Sequence, residues 1–245
     1  MNEVTLVSSV GIVAALAAEA RALTTRKVDP GHIIPLANGA GLWLSGMGPT
    51  AAQGAAQALV DAGAAALAVF GIAGAMDTGI RSGTLFCPES IVDDDGHDYA
   101  PDPTWRAGLL ERLTAAALPV LGTGKLLSVP TPLLTTAAKI TARDRYAALA
   151  VDMESAAVAA VARDRNLPFM ALRAIVDEID DTIPAALHES VDAWGRPRPL
   201  NLIVALVNHP SLLTYLPSLH SRMQQATRAL HAAGNAMGPT LGWPP

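Results

Sequence analysis

The sequence predicts an α/β fold, a three-layer α/β/α arrangement around a mostly parallel central sheet, with a short helical C-terminal extension. Two observations predict it. Apolar runs that lack polar alternation recur up to Asp181, and most are followed by a helical pattern. Such runs mark strands buried on both faces and joined by crossover helices. The burying is left to small aliphatic side chains, because the composition is 51% hydrophobic but only 4% aromatic.

The elements follow in order. Val7 to Ala14 reads as a buried strand, with a helix through Leu16, Glu19 and Leu23. Leu42 to Met47 reads as the next strand, and Gly48-Pro49-Thr50 opens an Ala-rich helix to about Gly63. Ala66 to Ala73 is a fully apolar strand, Gly83 to Val92 is β-rich, and Pro103 to Ala117 is helical. Lys125 to Val129 is a short strand, Thr131 to Tyr146 a helix, and Ala148 to Val151 a strand. Glu154 to Arg165 is a helix and Phe169 to Val176 a buried strand. Beyond Asp181 the chain changes character. Trp194-Gly195-Arg196-Pro197-Arg198-Pro199 is a turn-rich break. Leu200 to Val207, Ser211 to Leu219 and Ser221 to Ala233 read as short helices punctuated by Pro210 and Pro217, and Gly238 to Pro245 as a loose tail. A catalytic domain over residues 1–184, with an extension over 185–245 packed on it, is the expected organisation.

Composition narrows the function classes. The 245 residues carry a net charge of −5, so no basic surplus is available for nucleic acid. The single cysteine, Cys87, forbids an intramolecular disulfide and a multi-thiolate metal site. The histidines, His32, His97, His188, His209, His220 and His231, form no ligand spacing, so no metal is expected. No Gly-x-Ser-x-Gly elbow occurs. No apolar run reaches the roughly 18 residues of a membrane span. Val10 to Ala18 has the look of a signal-peptide core, but the residues before it carry Glu3 and neither Lys nor Arg. A cytoplasmic location is therefore expected.

In open parallel sheets, ligands bind beyond the carboxyl ends of the strands. Five such ends carry polar or glycine-rich chemistry: Glu19, Gly46-Met47-Gly48, Gly71-Ile72-Ala73-Gly74, Asp152-Met153-Glu154, and Asp177. Each also has a plainer reading. Glu19 in a first helical turn suits the helix dipole. Asp152 and Glu154 sit where an acid caps a helix. Asp177 begins an acidic run with Glu178, Asp180 and Asp181 that fits a solvated loop. Gly46-Met47-Gly48 lacks the third glycine of a dinucleotide fingerprint.

The combination is more specific than its parts. Val10-Gly11-Ile12-Val13-Ala14-Ala15-Leu16-Ala17-Ala18-Glu19 and Ser45-Gly46-Met47-Gly48-Pro49-Thr50-Ala51-Ala52 resemble the opening segments of the nucleoside phosphorylase and methylthioadenosine/S-adenosylhomocysteine nucleosidase superfamily. Phe70-Gly71-Ile72-Ala73-Gly74-Ala75-Met76 resembles its glycine turn, Val151-Asp152-Met153-Glu154-Ser155-Ala156-Ala157 its Met-Glu helix start, and Leu172-Arg173-Ala174-Ile175-Val176-Asp177 its Arg-Ala-Ile-Ser-Asp strand end. The matches run in family order and imply a nucleoside phosphorylase-like, partly barrel-like sheet. Asp93-Asp94-Asp95-Gly96-His97-Asp98-Tyr99, Asp102-Pro103-Thr104-Trp105-Arg106 and the tail from Ile183 onward are similar to the hopanoid-associated branch, whose members are assigned to adenosylhopane.

The resemblance implies an enzyme that cleaves the N-ribosidic bond of a 5′-substituted adenine nucleoside, with adenosylhopane in hopanoid side-chain biosynthesis the leading substrate and adenine the product. It implies Asp177 as the acid at purine N7, Glu154 as the ligand of the ribose hydroxyls with Met153 packed on the sugar, and Glu19 as the base that activates water. Leu16, Met47, Gly71, Ile72, Ala73, Val129 and Leu133 are the implied substrate-binding positions. No cofactor is implied. Two departures stand out. Val176 replaces the family's Ser before the acid, and Ser128-Val129-Pro130-Thr131-Pro132-Leu133 stands where nucleosidases carry a stacking Phe, so Pro132 offers an apolar surface without a ring. Where phosphorolytic relatives hold phosphate with Arg and Ser, the turn here has Val69, Phe70 and Ile72, and Glu19 rather than Arg occupies the N-terminal position. Water is therefore favoured over phosphate as nucleophile. The alternatives are a general methylthioadenosine/S-adenosylhomocysteine nucleosidase and a catalytically weak purine-binding module. A homodimer is expected, and the C-terminal helices are open either to packing on the domain or a partner, or to peripheral contact with the inner face of a membrane.

Overall fold

The architecture turns on one long strand. The computed structural model describes residues 7–243; Glu3, Pro244 and Pro245 lie outside the described residues. The first half contains β1 (Val10–Ala14), α1 (Ala17–Ala20), β2 (Ile33–Pro35), β3 (Gly41–Leu44), α2 (Pro49–Asp61), β4 (Ala66–Ala75), β5 (Leu85–Phe86), β6 (Ser90–Asp93), β7 (Asp98–Tyr99) and α3 (Pro103–Ala115). The second contains β8 (Val120–Leu121), β9 (Lys125–Ser128), α4 (Thr136–Tyr146), β10 (Ala148–Asp152), α5 (Ser155–Asp164), β11 (Phe169–Asp177), α6 (Ala185–His188), α7 (Pro199–Asn208) and α8 (Leu216–Met237).

Along one edge β4 pairs first with β1, in parallel, and then with β10, antiparallel, while β11 runs parallel along its other edge. The sheet therefore forks at β4. One path runs β2-β3-β1-β4-β10-β9-β6-β7, and a branch leaves β4 through β11 and β5 to β8. Side chains alternate across it as a pleated strand requires. Ala66, Ala68 and Phe70 of β4, with Met170, Leu172 and Ala174 of β11, face a core closed by α1, α3 and α8. Leu67, Val69, Phe169, Ala171 and Ile175 face a second core closed by α2 and α5. Helices thus cover both faces, and burial of these aliphatic rows at about 25 cal/mol per Å² is the main stabilising term.

The short strands β2, β7 and β8 escape sequence periodicity because two or three residues carry no period. The helix expected from Thr131 starts instead at Thr136, where the Thr135 hydroxyl accepts the Ala138 N–H at 3.2 Å. The two helices expected around Pro217 are differently divided. Pro210–Thr214 is a 3₁₀ turn, and α8 runs unbroken for 22 residues, with Pro217 in its first turn, where no intrahelical N–H is lost. The tail, expected to be loose, is docked as far as it is described. Leu241 is buried, its carbonyl accepts the Trp105 Nε1–H at 2.8 Å, and the Trp243 ring meets Trp105 edge-on with centroids 4.8 Å apart. α6, α7 and the following turn form their own small cluster around Leu187, Ala205 and Leu212. Among the described residues no helix is long and apolar enough to cross a membrane.

Trp105 joins α3 to this tail while only 1% exposed. Trp105→Ala is expected to cost about 3–5 kcal/mol in urea unfolding and to open the segment after Gly238 to limited proteolysis.

Candidate active site

The site is assembled along the β4–β11 pair. In the β11 row Phe169, Ala171, Arg173, Ile175, an arginine occupies a position whose neighbours are core, and it is 0% exposed. Arg173 lies opposite Gly71 on β4. A Cβ at Gly71 would fall 2.5 Å from Glu19 Oε1 and 2.6 Å from Arg173 Nη1, so only glycine lets the carboxylate and the guanidinium approach the strand. Arg173 pairs with Asp152, donates to Ser155 Oγ at 3.0 Å, and lies 3.6 Å from Glu154 Oε2. Its Nε and Nη1 have no hydrogen-bond partner among the described residues.

Two glutamates reach this guanidinium from distant segments. Glu19 accepts the Ala15 and Leu16 N–H groups at 2.8 Å each, and the Ile72 N–H at 2.8 Å. The first two bonds satisfy the start of α1 and the third ties it to β4, so helix capping and a place in the site are both served. Glu154, at the start of α5, accepts the Gly48 N–H at 2.9 Å across 106 residues of chain. Gly48 has φ of 99°, a conformation that favours glycine, and this turn after β3 aims the N–H at the carboxylate. Asp152 accepts the Glu154 and Ser155 N–H groups at 3.3 Å while pairing with Arg173, so it too is both a cap and a site residue.

Asp177 stands farther along the same strand pair. The β4–β11 register shifts between Ile175 and Asp177, and this bulge turns the carboxylate over Gly74, where a Cβ would lie 2.9 Å from Oδ2. Gly71 and Gly74 are three residues apart, roughly 10 Å of strand. Asp177 pairs with Lys139 of α4. A cleft opens beside it, walled by Ile183, Pro184, Leu187 and Leu219 together with Asp181 and Arg222.

Burial sets the proton affinities. It raises the Glu19 carboxyl above its usual range, against the pull of Arg173 and three backbone N–H groups. Burial pushes Glu154 to about 7, opposed by Arg173 and the Gly48 N–H and assisted by Asp152 and Glu19. Burial also raises Asp177, opposed chiefly by Lys139. Burial works against the Arg173 charge, but Asp152, Glu154 and Glu19 more than offset it. A carboxyl group pushed to about 7, beside other acids and a buried cation, is what acid–base chemistry at one site needs.

The remaining expected positions are spread around this frame. Leu16 and Met47 are half-buried at the ends of β1 and β3, beneath a hairpin spanning residues 190–198. Within it the Ala193 carbonyl accepts the Met47 N–H at 2.7 Å and the Trp194 carbonyl the Ala17 N–H at 3.2 Å. Ile72 contributes its N–H to Glu19, whereas the Ala73 side chain is buried in the core with α2 and α5. Met153 is half-buried beside Glu154. Val129 and Leu133 pack against a separate cluster of Met76, Val92, Leu127, Ala148 and Val151. Arg173 and Lys139 were not singled out from sequence. A signal existed for both: Arg173 interrupts an apolar alternation, and Lys139 shares its helical face with Ala142 and Tyr146 at spacings of three and four. Among the described residues no group of three or more His, Cys, Asp or Glu side chains is arranged to hold a metal ion.

The Glu154 carboxyl has a consequence for stability. Between its unfolded value near 4.5 and its folded value of about 7, the native chain keeps a proton that the unfolded chain releases. Its contribution to stability is therefore fully present below about pH 4.5 and is lost as pH rises through about 7. Glu154→Gln is expected to raise the thermal midpoint by a few degrees at pH 8 and to leave it nearly unchanged at pH 5, read by calorimetry across that range.

Solved structures share this arrangement of strands. A futalosine hydrolase of Helicobacter pylori superposes with a TM-score of 0.66 at 17% identity, covering 92% of this chain and 97% of that one. A putative 5′-methylthioadenosine/S-adenosylhomocysteine nucleosidase from Francisella philomiragia gives a TM-score of 0.69 at 16% identity, covering 94% and 98%. A 5′-methylthioadenosine/S-adenosylhomocysteine nucleosidase from Neisseria meningitidis, in complex with methylthio-immucillin-A, gives 0.65 at 18%, covering 92% and 96%. None of the curated proteins compared with the chain matches it. Residues 9–208, which span every strand from β1 to β11 and all the carboxylates above, match the Phosphorylase superfamily, and the chain belongs to that family.

Proposed function

We propose that the chain hydrolyses the N-ribosidic bond of a 5′-substituted adenine nucleoside, and that adenosylhopane is its substrate in hopanoid side-chain biosynthesis. The observation that carries the reaction is the placement of Glu19, Glu154 and Arg173 at the middle of the β4–β11 pair and Asp177 at its carboxyl end. As the C1′–N9 bond breaks, its electron pair passes to the purine and positive charge grows on the sugar. Asp177 gives its proton to N7, which makes the base a better leaving group. Glu154, as a carboxylate, holds the ribose hydroxyls and faces the oxocarbenium charge. Water attacks C1′ from the opposite side and passes its proton to Glu19, with the unpartnered Arg173 Nη1–H beside Glu19 able to orient it. The products are adenine and a free ribose derivative.

Water is preferred to phosphate on charge. Arg173, the cation beside the proposed nucleophile, already faces three acidic side chains, Asp152, Glu154 and Glu19, so a further anion meets net repulsion. The choice of a lipid-tailed substrate is supported by the acid-rich stretch Asp93–Tyr99 and by the C-terminal extension. Residues 199–221 contain no Asp, Glu, Lys or Arg, and Leu200 (78% exposed), Ile203, Val204, Val207 and Leu213 stand in solvent. This apolar face is proposed to rest on a bilayer surface, with two chains forming the working dimer. A second reading, a general methylthioadenosine/S-adenosylhomocysteine nucleosidase, is favoured by the Francisella and Neisseria likenesses.

Asp177→Asn is expected to lower adenine release by about 10²–10⁴-fold with an unchanged circular dichroism spectrum; near-normal turnover would refute the acid role. Adenine release should proceed in phosphate-free buffer, and strict phosphate dependence would overturn hydrolysis. Faster turnover of adenosylhopane than of methylthioadenosine separates the first reading from the second. Replacing Leu200, Ile203 and Val207 by Ser should abolish co-flotation with phosphatidylcholine vesicles; flotation that survives the substitution counts against bilayer contact.

A further inference from the structure

Lys139 is 0% exposed, yet it carries an ammonium group at the first turn of α4. Burying such a charge costs several kcal/mol unless it is paired and every N–H is satisfied. Lys139 meets both conditions at one place. Its Nζ donates to Asp177 Oδ2, to the Glu178 carbonyl at 2.6 Å and to the Asp181 carbonyl at 3.3 Å. All three acceptors belong to the end of β11 and the residues just after it, so the lysine reaches from α4 to a single target. The fold alone does not call for this: Ala142 and Tyr146, on the same helical face, pack in an apolar cluster.

Two constraints then act on the Asp177 carboxyl. The ammonium occupies Oδ2, and Gly74 closes under the group, where a Cβ would lie 2.9 Å from Oδ2 and 3.0 Å from Oδ1. A proton on Asp177 must then sit on Oδ1. We propose that Lys139 is a positioning residue for the proton transfer: it holds Asp177 through Oδ2 so that Oδ1 hands the proton to the departing base. This rests on the reading of Asp177 as the acid. The proton moves from Oδ1 to N7, the C1′–N9 electron pair goes to the base, and the carboxylate left behind is already paired with the Lys139 ammonium.

The groups facing Asp177 come from three directions. Lys139 approaches from α4, Asp181 from the loop after β11, and Arg222 from α8, where it pairs with Asp181 at 2.5 Å. Glu178 is turned away onto Arg81 at 2.5 Å. Asp181 raises the proton affinity of Asp177, whereas Lys139 and Arg222 lower it. Activity that needs protonated Asp177 is lost as pH rises through its folded value. Removing the Lys139 charge therefore moves that descending limb to higher pH.

The test uses the full chain, methylthioadenosine as probe, and adenine release from pH 5 to 10. Lys139→Met is expected to lower kcat by about 10–100-fold, as loss of alignment does, and to move the descending limb up by about one pH unit or more. Lys139→Arg should recover most of kcat and return the limb to its wild-type position. Should Lys139→Met not fold, the limb is read in Lys139→Gln, which keeps N–H donors for the two carbonyls but no charge. A wild-type limb and kcat in the uncharged variant overturn the proposal. If Asp177→Asn is inactive at the same time, only the role of Lys139 falls; if Asp177→Asn turns over normally, the acid reading falls as well.

Discussion

One buried guanidinium holds the site together. Arg173 gathers Asp152 from the end of β10, Glu154 from the start of α5 and Glu19 from α1. Buried carboxyl groups are costly to charge without a cation, and the cation would not be tolerated in an apolar strand row without them. The sheet supplies the meeting point, because β11 lies against β4 with Arg173 opposite a residue that has no side chain. Fold and site are thus the same constraint: shifting the β4–β11 register by one residue would place Arg173 in the other core and strand three acids.

The two halves of the site, at the middle of that strand pair and at its carboxyl end, are built differently. Around Arg173, several carboxyl groups share one cation, which opposes the rise in proton affinity that burial imposes on Glu19 and Glu154. At the Asp177 end, the carboxyl lies beside a cleft with apolar and charged walls, paired with Lys139 and near Asp181 and Arg222. Burial raises Asp177 against Lys139, and Glu19 and Glu154 against Arg173, so the two sets of carboxyl groups answer to different cations.

Much of this was legible in the residues. The strands β1, β4, β10 and β11 are apolar runs whose ends carry Glu19, Gly71, Asp152 and Asp177, and the rule that ligands collect at strand carboxyl ends ranks those positions without coordinates. The plainer readings have a counterpart in the structure: Glu19 stands in the first turn of α1 and Asp152 accepts two N–H groups at the start of α5, and one carboxylate, with two oxygens, can bond a helix start and a further partner together. Other features depend on tertiary placement. Lys139 reads as a surface residue of a polar helix until α4 is laid against the end of β11. The bulge that turns Asp177 over Gly74 is a property of two strands, and no local pattern encodes it. The docking of Leu241 and Trp243 depends on Trp105, more than 130 residues earlier, so composition alone describes that segment as loose.

The same geometry bears on the nucleophile through the backbone. An anion held at the ends of strands draws on main-chain N–H groups and helix starts. Here those donors are engaged by the protein's own oxygens. Glu19 takes the N–H groups of Ala15, Leu16 and Ile72, and Glu154 takes that of Gly48. The hairpin over the site covers two more, with the Trp194 carbonyl on Ala17 and the Ala193 carbonyl on Met47. Phosphate would have to displace a carboxylate or lift the hairpin to gain its hydrogen bonds, and would then face the remaining acids. Water needs only one acceptor and one donor, which Glu19 and the Arg173 Nη1–H provide side by side. The backbone and the charge count therefore favour the same nucleophile for independent reasons.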